Sequence, residues 1–120
     1  IEEIKEAIDD ARFNQTLNNI DNAAFSVGDV KQLFNEEFVN EHGPAQLIIV
    51  DPPRPGLHGD VVEMLNRTGV EKILYVSCNP STQARDIALL NQNYTVEVIQ
   101  PVDMFPHTHH IENIALLKRK

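Results

Sequence analysis

The chain holds one thiol, Cys78, within Ile73-Leu-Tyr-Val-Ser-Cys-Asn-Pro-Ser-Thr-Gln-Ala-Arg-Asp86. The β-prone run Ile73 to Val76 predicts a buried strand that Asn79-Pro80 must stop, and Ser81 or Thr82 can cap a helix through Ala84, Ile87 and Leu90. Cys78 then lies on a strand-to-helix turn, where a helix N-terminus favours the nucleophilic thiolate. A lone cysteine is more often a small inert hydrophobe, so its company decides between the two. Asp29 and Asp51 each follow a predicted strand, as Cys78 does, and an open α/β sheet binds ligands beyond the carboxyl ends of its strands. Three chemically useful side chains are therefore expected to converge on one rim. Residues 107–112 add His107, His109, His110 and Glu112. Their spacing is a weak pattern for zinc, and no metal site is expected.

The elements that must position these groups follow from periodicity. Ile4, Ala7, Ile8, Ala11 and Leu17 recur at helical spacing and predict a helix over 3–18, ended by Asn18-Asn19. Ala23 to Val27 predicts a short strand ending in Gly28-Asp29. Residues 30–42 predict a weaker helix through Val30, Leu33, Phe34 and Phe38, closed by His42-Gly43-Pro44. Leu47 to Val50 is an unbroken apolar run, the pattern of a strand covered on both faces. Three prolines make Asp51-Pro-Pro-Arg-Pro-Gly56 irregular. A helix from Gly59 to Asn66 precedes the Cys78 strand. Thr95 to Val98 and Ile111 to Leu117 are β-prone with no helix between them, so they predict an antiparallel edge, whereas the alternation before them predicts a parallel sheet with crossover helices.

At 120 residues the chain is one domain at most. Its single cysteine excludes an internal disulfide and any multi-cysteine metal site. No apolar run reaches the roughly 20 residues that span a bilayer and no signal peptide opens the chain, so a soluble cytoplasmic protein is expected. A formal net charge of −8 argues against a free-standing nucleic-acid-binding module, because phosphate neutralisation needs a basic face. If the substrate is a nucleic acid, its basic contacts are expected elsewhere. The opening Ile1-Glu2-Glu3, followed at once by a helix pattern, reads as the start of a piece cut from a longer protein.

Three stretches in order, Asp51-Pro-Pro-Arg-Pro-Gly-Leu57, Tyr75-Val-Ser-Cys-Asn-Pro-Ser-Thr-Gln-Ala-Arg-Asp86 and Asp103-Met-Phe-Pro-His-Thr-His-His-Ile-Glu112, resemble the C-terminal signatures of the RNA 5-methyluridine methyltransferases. The resemblance implies an α/β fold: a Rossmann-like methyltransferase sheet, mostly parallel, with an antiparallel C-terminal edge hairpin. It implies transfer of a methyl group from S-adenosylmethionine to carbon 5 of uridine in rRNA or tRNA. Cys78 matches the nucleophile that adds to uracil C6, and Glu112 the base that removes the C5 proton. A carboxylate base gains from partial burial, which Ile111 and Ile114 could supply. His110, two residues before Glu112, would share its side of a strand and orient the base or the uracil. Asp51 matches an acid at the cofactor and uracil edge, and Arg54 would contact substrate or phosphate. Glu2 and Asp29 match acids that serve the cofactor's ribose and adenine, although Asp29 alone would read as a helix cap.

One departure concerns the cofactor. The Gly-rich loop and first strand that the family places before Ile1 are not in this sequence, so residues 1–120 are expected to form a partial catalytic domain that binds S-adenosylmethionine weakly or not at all. The family's N-terminal RNA-binding domain, and the four-cysteine iron–sulfur cluster of some members, would also lie outside it. The sheet edge left without its first strand is expected to favour self-association. Two alternatives stand beside this reading. Asp-Pro-Pro also occurs in amino-methyltransferases, which ordinarily follow it with an aromatic residue where this chain has Arg54. A non-catalytic α/β interaction module would bury Cys78.

Overall fold

The computed structural model describes all 120 residues. Helix α1 spans Lys5–Leu17, α2 Val30–Leu33 and α3 Glu36–His42; strand β1 spans Leu47–Val50, followed by α4 Gly59–Thr68, β2 Lys72–Ser77, α5 Pro80–Leu90, β3 Tyr94–Val102 and β4 Glu112–Arg119. The four strands form one sheet in the order β1-β2-β4-β3. β1 and β2 are parallel, joined through α4, while β4 is antiparallel to both β2 and β3. The sheet is thus mixed, with its parallel part at β1 and β2 and the expected hairpin at the far edge. No helix is long and apolar enough to cross a membrane.

The core lies between one face of the sheet and helices α4 and α5. Residues alternate along β2 and β4, so Ile73, Tyr75, Ala115 and Leu117 turn inward. Val61, Val62 and Leu65 of α4 and Leu90 of α5 meet this layer. Tyr94 closes the base of the core, its hydroxyl placed 3.2 Å from the Leu65 carbonyl and 3.1 Å from that of Val70. Its phenol is pushed above its ordinary pKa, chiefly by burial, so it remains a donor.

Several elements differ from the sequence expectation. Ala23 to Val27 forms no strand; Val27 makes only an isolated parallel bridge with Glu2, because no other strand lies beside it. The helix expected over 30–42 is two, since Asn35 leaves the first and caps the second by accepting from the Phe38 N–H at 2.9 Å. β1 is covered on one face only. Ile48 and Val50 pack on the core, whereas Leu47 and Ile49 are 46% and 61% exposed. α5 begins one residue earlier than Ser81, with Asn79 as its cap and Pro80 in its first turn, where a missing N–H costs nothing. β3 runs on to Val102, through an irregularity between Val96 and Val98 and through Pro101, as an edge strand permits.

Leu65 is fully buried and Leu89 faces solvent. Leu65→Ala is expected to lower unfolding free energy by about 2–5 kcal/mol, and Leu89→Ala by less than about 0.5 kcal/mol. Urea unfolding followed by circular dichroism checks both.

Candidate functional site

β1 delivers the chain into the loop Asp51 to Leu57, whose prolines leave it no ladder to join. Helix α5 holds it instead. The Leu57 N–H donates to Asp86 Oδ2 at 2.7 Å, and Arg85 donates to the Pro55 carbonyl at 2.8 Å. Asn79 Nδ2 and Thr82 Oγ1 both donate to the Arg54 carbonyl, at 3.1 and 3.0 Å. At Gly56, with φ +86°, the loop lies so close to α5 that a Cβ would stand 2.5 Å from Asp86 Oδ2 and 3.2 Å from Thr82 Cβ. Asp86 is fully buried. It also accepts from the Tyr75 hydroxyl at 2.7 Å and from Arg85 Nε and Nη2 at 2.9 and 2.7 Å. Burial first, then the bond to Asp86, pushes the Tyr75 phenol well above its ordinary pKa, so it stays protonated and donates. Sequence reasoning passed over Gln83 and Asp86. The available signal was two polar residues at the helical spacing of Leu90, on the face that α5 buries.

Cys78 lies between Ser77, the last residue of β2, and Asn79, the cap of α5. Ser77 Oγ accepts from the Asn79 N–H at 3.0 Å and lies 3.1 Å from the Asn79 carbonyl, which tightens the turn around the thiol. Asn79 Oδ1 accepts from the Ser81 N–H at 3.2 Å. The β2–β4 ladder ends at the pair Ser77 and Asn113. Cys78 lies one residue beyond that pair, in a bend, and Glu112 one residue before it on β4, where it pairs with Val102 of β3; both are half-buried. Ile111 is 38% exposed, so of the two apolar neighbours expected around Glu112 only Ile114 is half-buried.

His110 lies just before β4 rather than on it. The Arg54 guanidinium sits 3.1 Å from its Nε2 and 3.3 Å from Nδ1, and the His109 ring packs at 4.2 Å. Partial burial, then the Arg54 and His109 charges, lower the His110 pKa, against an opposing pull from Glu112. His107 is exposed.

A groove of about 1010 Å³ runs along the free edge of β1. Glu2, Asp29 and Asp51 line it with Ile1, Phe38 and Leu57. Glu2 accepts from the Ile4 N–H at 2.9 Å. Asp29 realises its capping role, accepting from the Lys31 N–H at 3.0 Å, with Lys31 Nζ at 3.1 Å. That backbone donor, followed by the Lys31 side chain and more weakly by His58, holds the Asp29 carboxyl below its ordinary range. The Asp51 carboxylate is exposed and joins no ion pair. Cys78, Arg54, His110 and Glu112 do not line this groove. The convergence expected for Asp29, Asp51 and Cys78 is thus divided: Asp51 and Pro53 face the groove, whereas Arg54, next in the same loop, reaches His110.

The arrangement predicts a titration. By NMR, His110 should have a midpoint below 6.5. Arg54→Ala should raise it and Glu112→Gln should lower it. Because the depressed value keeps the ring neutral above it, the Arg54 contact should weaken as pH falls through that midpoint, and an unchanged midpoint in both variants would contradict the geometry.

The sequence profile of the tRNA (uracil-5-)-methyltransferase family matches residues 1–120. An uncharacterised RNA methyltransferase of Bacteroides thetaiotaomicron is 53% identical over 98% of this chain and 26% of its own, and one of Enterococcus faecalis is 50% identical over 99% and 26%. The crystal structure of Pyrococcus abyssi tRNA (uracil-54, C5)-methyltransferase in complex with S-adenosyl-L-homocysteine superposes with a TM-score of 0.81 at 43% identity, over 96% of this chain and 27% of that one. The chain spans about a quarter of the length of the relatives it matches. With a family match over its whole length and a shared fold, the chain belongs to the tRNA (uracil-5-)-methyltransferase family.

Proposed function

We propose that the protein containing this chain transfers a methyl group from S-adenosylmethionine to carbon 5 of a uridine in RNA, with Cys78 as nucleophile and Glu112 as base. The observation that supports this reading is the β2–β4 ladder, whose last pair, Ser77 and Asn113, has Cys78 directly after it on one strand and Glu112 directly before it on the other. Carbon 5 of uracil is a poor nucleophile. Addition of the Cys78 thiolate to C6 moves electron density onto C5. Once C5 carries the methyl group, its hydrogen must leave as a proton. Glu112 accepts that proton, the C5–C6 double bond re-forms, and the Sγ–C6 bond breaks with its electrons returning to sulfur. Glu112 then releases the proton to water.

S-adenosylmethionine, when bound, supplies the electrophilic methyl group. Glu2 and Asp29, near Asp51, offer carboxylate acceptors for ribose hydroxyls and the adenine edge. Asp51, with no ion-pair partner, is available to accept from the cofactor's amine or from the uracil N–H. His110 can hold the uracil edge or Glu112, and Arg54, carried on the same loop as Asp51, can meet an RNA phosphate. The acidic balance of the chain assigns most backbone contacts to other parts of the protein. The amino-methyltransferase alternative loses ground because Arg54, where that chemistry stacks an aromatic ring, lies against His110.

RNA carrying tritium at uridine C5 tests the scheme in the full-length enzyme, since each methyl transfer releases one tritium to water. Cys78→Ala should lower release by about a thousandfold or more. Glu112→Gln should slow release and accumulate an RNA–protein adduct that survives denaturant, because the thiolate cannot be expelled while the C5 proton has no acceptor. Release at the wild-type rate from Cys78→Ala would overturn the reading.

A further inference from the structure

We propose that Gln83 is a positioning residue whose carboxamide fixes the separation of Cys78 and Glu112. Gln83 sits on α5, 1% exposed. Its Nε2 donates to the Tyr75 carbonyl of β2 at 2.8 Å and to the Asn113 carbonyl of β4 at 3.0 Å, and its Oε1 accepts from the Asn113 side chain. One planar group therefore joins the two strands at their last registered turn. Tyr75 lies three residues before Cys78 on β2, and Asn113 directly follows Glu112 on β4. The β2–β4 ladder stops at Ser77 and Asn113 and Glu112 is paired onward only with Val102 of β3, so no β2–β4 pairing beyond that point sets the distance between the two proposed reacting side chains. An apolar residue would be the ordinary occupant of this inward site, where Ile73, Tyr75 and Leu117 already form the core. A buried amide with all its partners satisfied instead selects one geometry, because any sliding of β4 against β2 leaves donors or acceptors unpaired in a dry interior.

The catalytic meaning of this geometry rests on the proposed roles of Cys78 and Glu112, but the geometry can be read without catalysis. Within residues 1–120 Cys78 is the only cysteine, so in the full-length protein Glu112→Cys adds one thiol whose disulfide with Cys78 is identified by peptide mapping. Glutathione disulfide oxidises that pair to a protein disulfide and is itself reduced to two glutathione thiols. The equilibrium gives the effective concentration of one thiol at the other. Adding Gln83→Met, which keeps side-chain volume and removes the bonds, should lower that concentration by about tenfold or more. Should Gln83→Met fail to fold by circular dichroism, Asn113→Ala, which strips only the bond orienting the carboxamide, should lower it by about threefold. An effective concentration unchanged in the folded variant would overturn the proposal. In the full-length enzyme, Gln83→Met should lower kcat with KM for RNA nearly unchanged, and should accumulate the same uridine adduct as Glu112→Gln; loss of kcat and KM together with no adduct would mark Gln83 as structural only and would also overturn the proposal. A drop in effective concentration beside a full-length enzyme indifferent to Cys78→Ala would uphold the positioning geometry and overturn the proposed function instead.

Discussion

A carboxylate with no access to water holds the rim of this fold together. Asp86 takes its donors from three places: the Tyr75 hydroxyl of β2, the Leu57 amide at the end of the Pro-rich loop, and the Arg85 guanidinium beside it on α5. Burying such a charge is unfavourable unless every lone pair is engaged, and removing one partner leaves the rest unsatisfied at about 1–3 kcal/mol for each group. The loop from Asp51 to Leu57 has no strand or helix hydrogen bonds of its own. Its position is therefore set by α5, and Arg85, Asn79 and Thr82 complete the attachment through the Pro55 and Arg54 carbonyls.

From that attachment the chemistry inherits its layout. The turn after β2 presents Cys78, and the helix that begins there clamps the loop carrying Asp51 and Arg54, so the proposed nucleophile and the candidate binding groups share one rigid support. The same helix buries Gln83 between β2 and β4. The thiol and the Asp51 loop are both tied to the N-terminal region of α5, although Asp51 itself faces the groove along β1. His110 and the Arg54 guanidinium close the outer side of this rim.

Much of this was legible in the sequence, for physical reasons that can be named. β1, β2 and α4 announce themselves because each has an apolar period bounded by proline, glycine or asparagine, whereas α5 announces itself by the Asn79-Pro80 start and not by its expected Ala84, Ile87 and Leu90 face, since Ala84 is exposed. The hairpin of β3 and β4 was legible from two β-prone runs with no helix between them. What failed was local pattern without a tertiary partner. Ala23 to Val27 has strand composition but only Glu2 beside it, and Leu47 to Val50 looked doubly covered although one face is open. At the site, residue types were legible and neighbourhood was not. That Cys78 and Glu112 flank the same terminal pair, Ser77 and Asn113, follows from the antiparallel register, and the Arg54–His110 contact joins two irregular loops that no periodicity describes. Gln83 and Asp86 were hidden by the habit of assigning polar helix residues to solvent.

The central claim is that the turn after β2 supplies the nucleophile. The most direct measurement incubates the full-length enzyme with S-adenosylmethionine and RNA containing 5-fluorouridine, then maps any RNA–protein adduct by mass spectrometry. Fluorine cannot leave C5 as a proton does, so the thiol cannot be expelled. The predicted result is an adduct on the peptide bearing Cys78, with a methyl group added to the base, and none in Cys78→Ala. An adduct at another residue, or one that persists in Cys78→Ala, would contradict it.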